Sequence, residues 1–291
     1  MTNAELVPGL AVEVLPGLRR LLAPNPSAMT GPGTNTYLVG APDTVVVDPG
    51  PDDPVHLDAV VEAGAARIRY VLVTHTHPDH APGAAALAAR TGATLLGFGA
   101  RGGFVPDGEL ADGDIVAVPG ARLTALHTPG HAPDHLCFLF EPEVDTSPDG
   151  VPSRVLLSGD HVMGGSTVAI APPDGDMAAY LTSLRRLLRL DPPIDAIAPG
   201  HGPLIVEARA VLEGYVSHRL ARERSVLEAL GRLGPASPDE LVDAVYGHLL
   251  PSLRWAASAT LWAHLRKLGA EGRAVGDDPD GRGARWRLAG S

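Results

Sequence analysis

The segment THTHPDH, residues 74–80, places His75, His77, Asp79 and His80 within six positions, directly after the apolar run YVLV. In an extended chain, residues two apart point to the same side, so His75 and His77 can converge on one ion. Pro78 then turns the chain and swings Asp79 and His80 toward a neighbouring position. Imidazole and carboxylate suit zinc, and equally iron or manganese. A histidine-rich surface loop would have the same composition, but it leaves three other groups unexplained. These are His131 in TPGH, Asp160 in SGDH and His201 in PGHG, each at the end of an apolar run. Gly130, Gly159 and Gly200 precede them, which lets the backbone turn tightly at the ligand. A bound divalent ion lowers the pKa of a coordinated water and stabilises charge developing on a substrate. The chemistry expected is therefore hydrolysis by a metal-bound hydroxide. No protein nucleophile is needed, and the sequence carries no Gly-x-Ser-x-Gly elbow.

The elements that must position these groups are short and β-branched: NTYLVG (35–40), TVVVDPG (44–50), RYVLVTH (69–75), RLTALHTPGH (122–131), RVLLSGD (154–160) and IDAIAPGH (194–201). Strands buried on both faces read as continuous apolar runs of this kind. Helical patterns lie between them at 55–64, 82–92 and 177–190, which predicts an α/β body with helices covering sheets. Sites in sheet proteins form at the carboxyl ends of strands, where every candidate ligand falls. The stretch EPEVDTSPDGVPSR (141–154) reads as a surface loop between two strands.

Beyond about Ile205 the strand pattern stops. Residues 206–234 read as one long helix or two joined ones, and SPDELVDAVYGHLL carries a helix start at Ser237 or Asp239. SLRWAASATLWAHLRKLGAEG gives another helix, ending at Gly269 or Gly272. The tail then reads as two short strands around an Asp-Pro-Asp-Gly turn. Three helices and a hairpin are the order of a winged helix. The division expected is a hydrolase domain over 1–224 and a winged-helix domain over 225–291. None of the candidate ligands lies in the latter, so it is expected to roof the pocket or to form a dimer interface.

Residues 1–214 hold 12 basic and 25 acidic side chains, and 215–291 hold 11 and 9. So acidic a body attracts neither nucleic acid nor anionic membrane at long range. There is no apolar run long enough to span a bilayer and no signal-peptide pattern at the start, and the single cysteine, Cys137, sits in the apolar run HLCFLF. A cytoplasmic protein acting on a small molecule is expected, with a homodimer as an option.

With Asp48 in VVVDPG, the motifs THTHPDH, His131, Asp160 and His201 together resemble the metallo-β-lactamase superfamily. The resemblance implies an αβ/βα sandwich with a dinuclear site. It implies that His75, His77 and His131 bind the first metal, that Asp79, His80 and His201 bind the second, and that Asp160 bridges both. Asp79 and Asp160 would be the catalytic carboxylates, and Asp48 would orient a ligand or a turn from behind. The stretches GPGTNTYLVG (31–40) and YVSHRLARER (215–224), with the winged-helix tail, resemble the branch of β-lactamase-like protein 2. Related fungal acyl-carrier thioesterases share the first stretch. Thr34 and Asn35 would line the substrate pocket or support the ligands, as would His161, which is favoured over His135. His127 reads as a hydrogen-bonded core residue, and His56, His248 and His264 as surface or packing residues. His218, Arg219 and Arg222 are expected to pair with nearby acids, and Trp255 and Trp262 to pack in a core or an interface.

Three functions fit. A thioester or ester hydrolase is favoured. An endoribonuclease acting on single-stranded RNA is disfavoured by the acidic body. A DNA-binding regulator working through the winged helix would have only Arg254, Arg266 and Lys267 on its reading helix, a low density for groove contacts.

Overall fold

The computed structural model describes residues 6–64, 67–143, 151–165 and 167–290. The chain opens with four antiparallel strands, β1 (Val12–Leu15), β2 (Leu18–Leu22), β3 (Asn35–Val39) and β4 (Asp43–Val47). Helix α1 (Pro54–Ala63) leads to β5 (Arg67–Leu72), and α2 (Gly83–Thr91) leads to β6 (Thr94–Gly97) and β7 (Gly108–Glu109). Strands β4 to β7 run parallel, and all seven pair in sequence order. A second sheet holds β8 (Ile115–Val118), β9 (Ala121–His127), β10 (Leu136–Pro142), β11 (Val155–Gly159) and β12 (Ala196–Pro199), again in sequence order, with only β11 and β12 parallel.

The two-residue period of a strand decides what each sheet face buries. Tyr37 and Val39 of β3, Val45 and Val47 of β4 and Leu72 of β5 enter one core with Leu123, Phe138, Phe140, Leu157 and Ala198 of the second sheet. Their neighbours Leu38, Val46 and Val71 point the other way and pack with Leu57 and Val60 of α1 and Ala84 and Leu87 of α2. This is the expected sandwich, with α1 and α2 on the outer face of the first sheet. Strands β1, β2, β6, β7, β8 and β10 are not among the six predicted runs, although β10 coincides with the apolar run HLCFLF. Of the 141–154 loop, residues 144–150 lie outside the described ones.

The chain divides into two compact units. One comprises Met1–Thr128, Asp134–Ser166 and Arg189–Val211, and holds both sheets. The other comprises Pro129–Pro133, Thr167–Leu188 and Leu212–Ser291. The second unit contains α3 (Met177–Leu187), most of α4 (Ala208–Leu233), α5 (Pro238–Tyr246), α6 (Pro251–Ala270), β13 (Ala274–Gly276) and β14 (Trp286–Leu288). The stretch read as one long helix or two joined ones thus forms one continuous helix, Ala208–Leu233. Ser237 starts α5 with a full capping box, its hydroxyl accepting from Glu240 N while Glu240 accepts from Ser237 N. Leu230, Leu241, Leu261, Leu265 and Trp286 meet in a core distinct from that of the sandwich.

Candidate active site

Every candidate metal ligand of the sheet unit, and Asp48 with them, stands just past the end of a strand. Asp48 follows β4, His75 to His80 follow β5, Asp160 follows β11 and His201 follows β12. Asp48 adopts a left-handed backbone, φ 53°, unusual for a residue with a side chain. That conformation turns its carboxylate back along the strand ends. Oδ1 accepts from Thr74 N at 2.7 Å, and Oδ2 accepts from Thr74 Oγ1 and faces His80 Nδ1, both at 2.8 Å. A carboxylate accepts, so Nδ1 carries a proton, and Nε2 is the nitrogen that faces away from Asp48. His201 is fixed in the same way, with Nδ1 donating to Gly33 O at 3.1 Å.

The two freed Nε2 atoms converge on carboxylates. His80 Nε2 lies 3.3 Å from Asp160 Oδ1 and 3.6 Å from Asp79 Oδ2. His201 Nε2 lies 3.2 Å from Asp160 Oδ1 and 3.1 Å from Asp79 Oδ2. Both nitrogens are buried, and neither has a hydrogen-bond partner among the described residues. Buried polar atoms left this way are costly unless something fills the space between them, and two imidazoles with two carboxylates are a donor set for a hard or borderline divalent cation. Asp79, His80, Asp160 and His201 form one group of potential ligands, and His75, His77 and His131 form another. Within each group the ligand atoms lie within 4.8 Å of one another.

In the all-histidine group, His75 Nε2 and His77 Nδ1 approach to 3.0 Å, while His75 Nδ1 is held by Thr74 Oγ1 at 3.0 Å. Thr74 therefore connects Asp48 to the first imidazole. His131 Nδ1 donates to Ala169 O at 2.8 Å, which fixes the orientation of its ring.

Charge at the carboxylate-rich group follows from its composition. Burial alone pulls His80 down, but Asp79, Asp160 and Asp48 outweigh it and hold this imidazole well above its ordinary value. Burial opposes charge on His201 too, and Asp160 and Asp79 still raise it to about 9. Burial disfavours the charged Asp160, yet His80 and His201 hold it well below the carboxylate range, and Asp79 is lowered against the same opposition. This is a place that favours positive charge and keeps its carboxylates ionised. A metal entering it must displace the imidazole protons.

Thr34 and Asn35 are wholly buried. Asn35 donates to the carbonyls of Pro199 and Gly202, and its backbone N to Gly200 O, all within 2.9 Å. Thr34 is gripped by Asn25 and bridges to His201. Both residues tie the start of β3 to the turn carrying His201. His161 is buried, with its ring 5.8 Å from that of His135.

Other expectations need correcting. His135, placed behind His161 from the sequence, accepts from Asp160 N through Nε2 at 3.2 Å while its Nδ1 meets Thr128 Oγ1 at 2.9 Å. Asp134, not singled out, caps the histidine loop by accepting from Thr76 N at 3.0 Å. Their only sequence signal is proximity to His131. His127 is a half-buried strand-end residue stacked on Phe98, centroids 4.3 Å apart, and not a core residue. His56 takes the packing alternative, buried with its Nε2 3.0 Å from Thr36 Oγ1. Arg219 and Arg222 donate to the carbonyls of Val168 and Val245 and lie over the rings of Tyr180 and Tyr246, instead of pairing with acids. Trp262 is buried, but Trp255 is 55% exposed, so only one of the pair packs in the core. Among the described residues, no helix is long and apolar enough to cross a membrane.

The family model described as the metallo-beta-lactamase superfamily matches residues 29–201, and one described as a beta-lactamase associated winged helix domain matches residues 237–286. Lactamase-like protein adaB of Aspergillus niger is 31% identical over 96% of this chain and 88% of its own length. The atrochrysone carboxyl ACP thioesterase of Aspergillus chevalieri is 32% identical over 96% of this chain and 89% of its own. Among solved structures, a beta-lactamase domain protein from Burkholderia ambifaria superposes with a TM-score of 0.78 at 25% identity, covering 98% of this chain and 96% of that one.

Proposed function

This chain belongs to the metallo-β-lactamase superfamily and is a metal-dependent hydrolase, and on that premise we propose that it cleaves a thioester or ester of a small acyl compound. The observation that carries the reading is the similarity over nearly the whole chain to an enzyme named as an acyl-carrier thioesterase. The acidic body, 12 basic against 25 acidic residues over 1–214, weighs against a phosphodiester backbone as substrate. In this reading His75, His77 and His131 hold one ion, and Asp79, His80 and His201 hold the second, with Asp160 shared. Zinc is the expected metal, with iron and manganese as alternatives. Two bound ions supply Lewis acidity and an activated water. The protein's own part is to fix the ligands. Asp48 and the carbonyls of Gly33 and Ala169 each hold an imidazole proton at Nδ1, of His80, His201 and His131 in turn, and so orient the three rings. His135 holds the backbone of Asp160, and Asp79 and Asp160 stay ionised to balance the metal charge. The catalytic residues lie within 1–224, and 225–291 forms the winged-helix part.

The test is to assay zinc-, iron- and manganese-loaded protein against acyl thioesters, carboxylic esters and single-stranded RNA. Thioester or ester turnover that is abolished by chelation and restored by metal is expected. RNA cleavage faster than thioester cleavage would transfer the assignment to the nuclease reading.

A further inference from the structure

The second unit holds one candidate metal ligand, His131, and the way it does so assigns work to two side chains far along the chain. The ring of His131 is oriented by Ala169 O. Residues 167–171 belong to no helix or strand, so no backbone ladder of their own sets the direction of that carbonyl. Its two neighbours are held instead by side chains of long helices. Val168 O accepts from the Arg219 guanidinium of α4, and Ile170 N donates to Thr260 Oγ1 of α6 at 3.3 Å. Val168 and Ile170 are buried, as are Arg219 and Thr260, so water does not compete for these bonds. Arg219 also lies over Tyr180, 5.2 Å from the ring centroid. Helix α3, which carries Tyr180, fixes the backbone before His131: Asp176 N donates to Gly130 O at 2.8 Å and Ser183 Oγ to Pro129 O at 2.9 Å. A Cβ on Gly130 would meet Tyr180 Cα at 2.3 Å, so this approach requires glycine.

We propose that Arg219 and Thr260 are positioning residues for His131, acting through the backbone of Val168–Ile170. A buried guanidinium is a poor choice for packing alone, since an apolar chain of the same volume avoids its desolvation. What an apolar chain cannot do is fix the plane of a peptide. Holding Val168 O and Ile170 N on opposite sides of residue 169 leaves Ala169 O one direction to face, and that direction meets His131 Nδ1. Thr260 of the winged-helix part, with Arg219 just before that part, thus helps to orient a candidate ligand that neither of them is. This inference rests on the reading of His131 as a ligand.

The test follows zinc released from the loaded full-length protein to a chromophoric chelator, resolving the two binding steps. His131→Ala identifies the step that depends on His131. Thr260→Val, nearly isosteric, and Arg219→Met should each weaken that step by about 10-fold, as loss of an outer partner typically does, and leave the other step unchanged. Thr260→Ser, which keeps the hydroxyl, should restore it. Val242→Ala, a core change in α5, controls for general loosening. The proposal is overturned if Thr260→Val and Arg219→Met release both ions as wild type does, or if Val242→Ala weakens the same step equally. If His131→Ala itself leaves both steps intact, the ligand reading fails, and the proposal with it.

Discussion

His201 of the sheet unit and His264 of the second unit are both buried imidazoles, and their surroundings drive them in opposite directions. His201 faces Asp160 and Asp79, which overcome burial and raise it to about 9. His264 is lowered to about 3, first by burial and then by Arg219, Lys267, Arg222 and His218. Neither of its ring nitrogens has a hydrogen-bond partner among the described residues. Burial is common to both, so burial does not distinguish a functional histidine from a packing one. The sign of the neighbouring charge does: carboxylates make a place for a cation, whereas cations make a neutral ring that serves as filler.

The sharpest way to break this contrast is to remove the shared carboxylate. Asp160→Asn should empty the carboxylate-rich group, weaken the histidine group and lower kcat by more than about 100-fold, beyond the usual effect of an outer partner. Elemental analysis with steady-state rates checks it, and two retained ions at full rate would reject the shared role. Asp48→Asn should cost about 10–100-fold in affinity at the carboxylate-rich group, where Asp48 meets His80 directly, and less at the histidine group, which it reaches only through Thr74.

A smaller effect separates the two histidines by pH in metal-free protein. His201 binds its proton more tightly folded than unfolded. Its contribution is complete below pH 6.5 and disappears as pH rises through about 9. His264 resists protonation when folded, so its contribution is complete above pH 6.5 and is lost as pH falls toward about 3. Each limb is bounded by one proton, about 1.4 kcal/mol per pH unit. In denaturant melts across this range, His201→Ala should flatten the alkaline limb and His264→Leu the acid limb. If either substitution flattens the opposite limb, the sign assignment is wrong. Ser237→Ala touches neither environment and should cost only about 1 kcal/mol, independent of pH.

The ligand positions were legible because each sits at a strand end with a recognisable spacing, and the strands that carry them are strongly apolar. β2 is hidden in the sequence because LRRLL holds two arginines, although Arg20 is 5% exposed and only Arg19 of the five is not buried. β7 is two residues long, too short to show a period. The roles of His135 and Asp134 depend on where the turn between β9 and β10 brings them, which no local pattern encodes. Arg219 and Arg222 were misread because a cation suggests an acid, whereas backbone carbonyls and tyrosine faces satisfy a buried guanidinium as well.

The sequential pairing of strands in both sheets also bears on how this protein is made. Every strand hydrogen-bonds to its nearest neighbour in the chain, so each sheet assembles from contacts of short sequence separation, the kind that form fast. The first sheet is complete by Glu109, before any residue of the second needs to have left the ribosome. What remains slow is the meeting of the two sheets, because it closes a long stretch of chain. The group of Asp79, His80, Asp160 and His201 takes members from both sheets, so it is complete only after that meeting. Metal uptake by the nascent chain would then mark the end of folding, not its beginning.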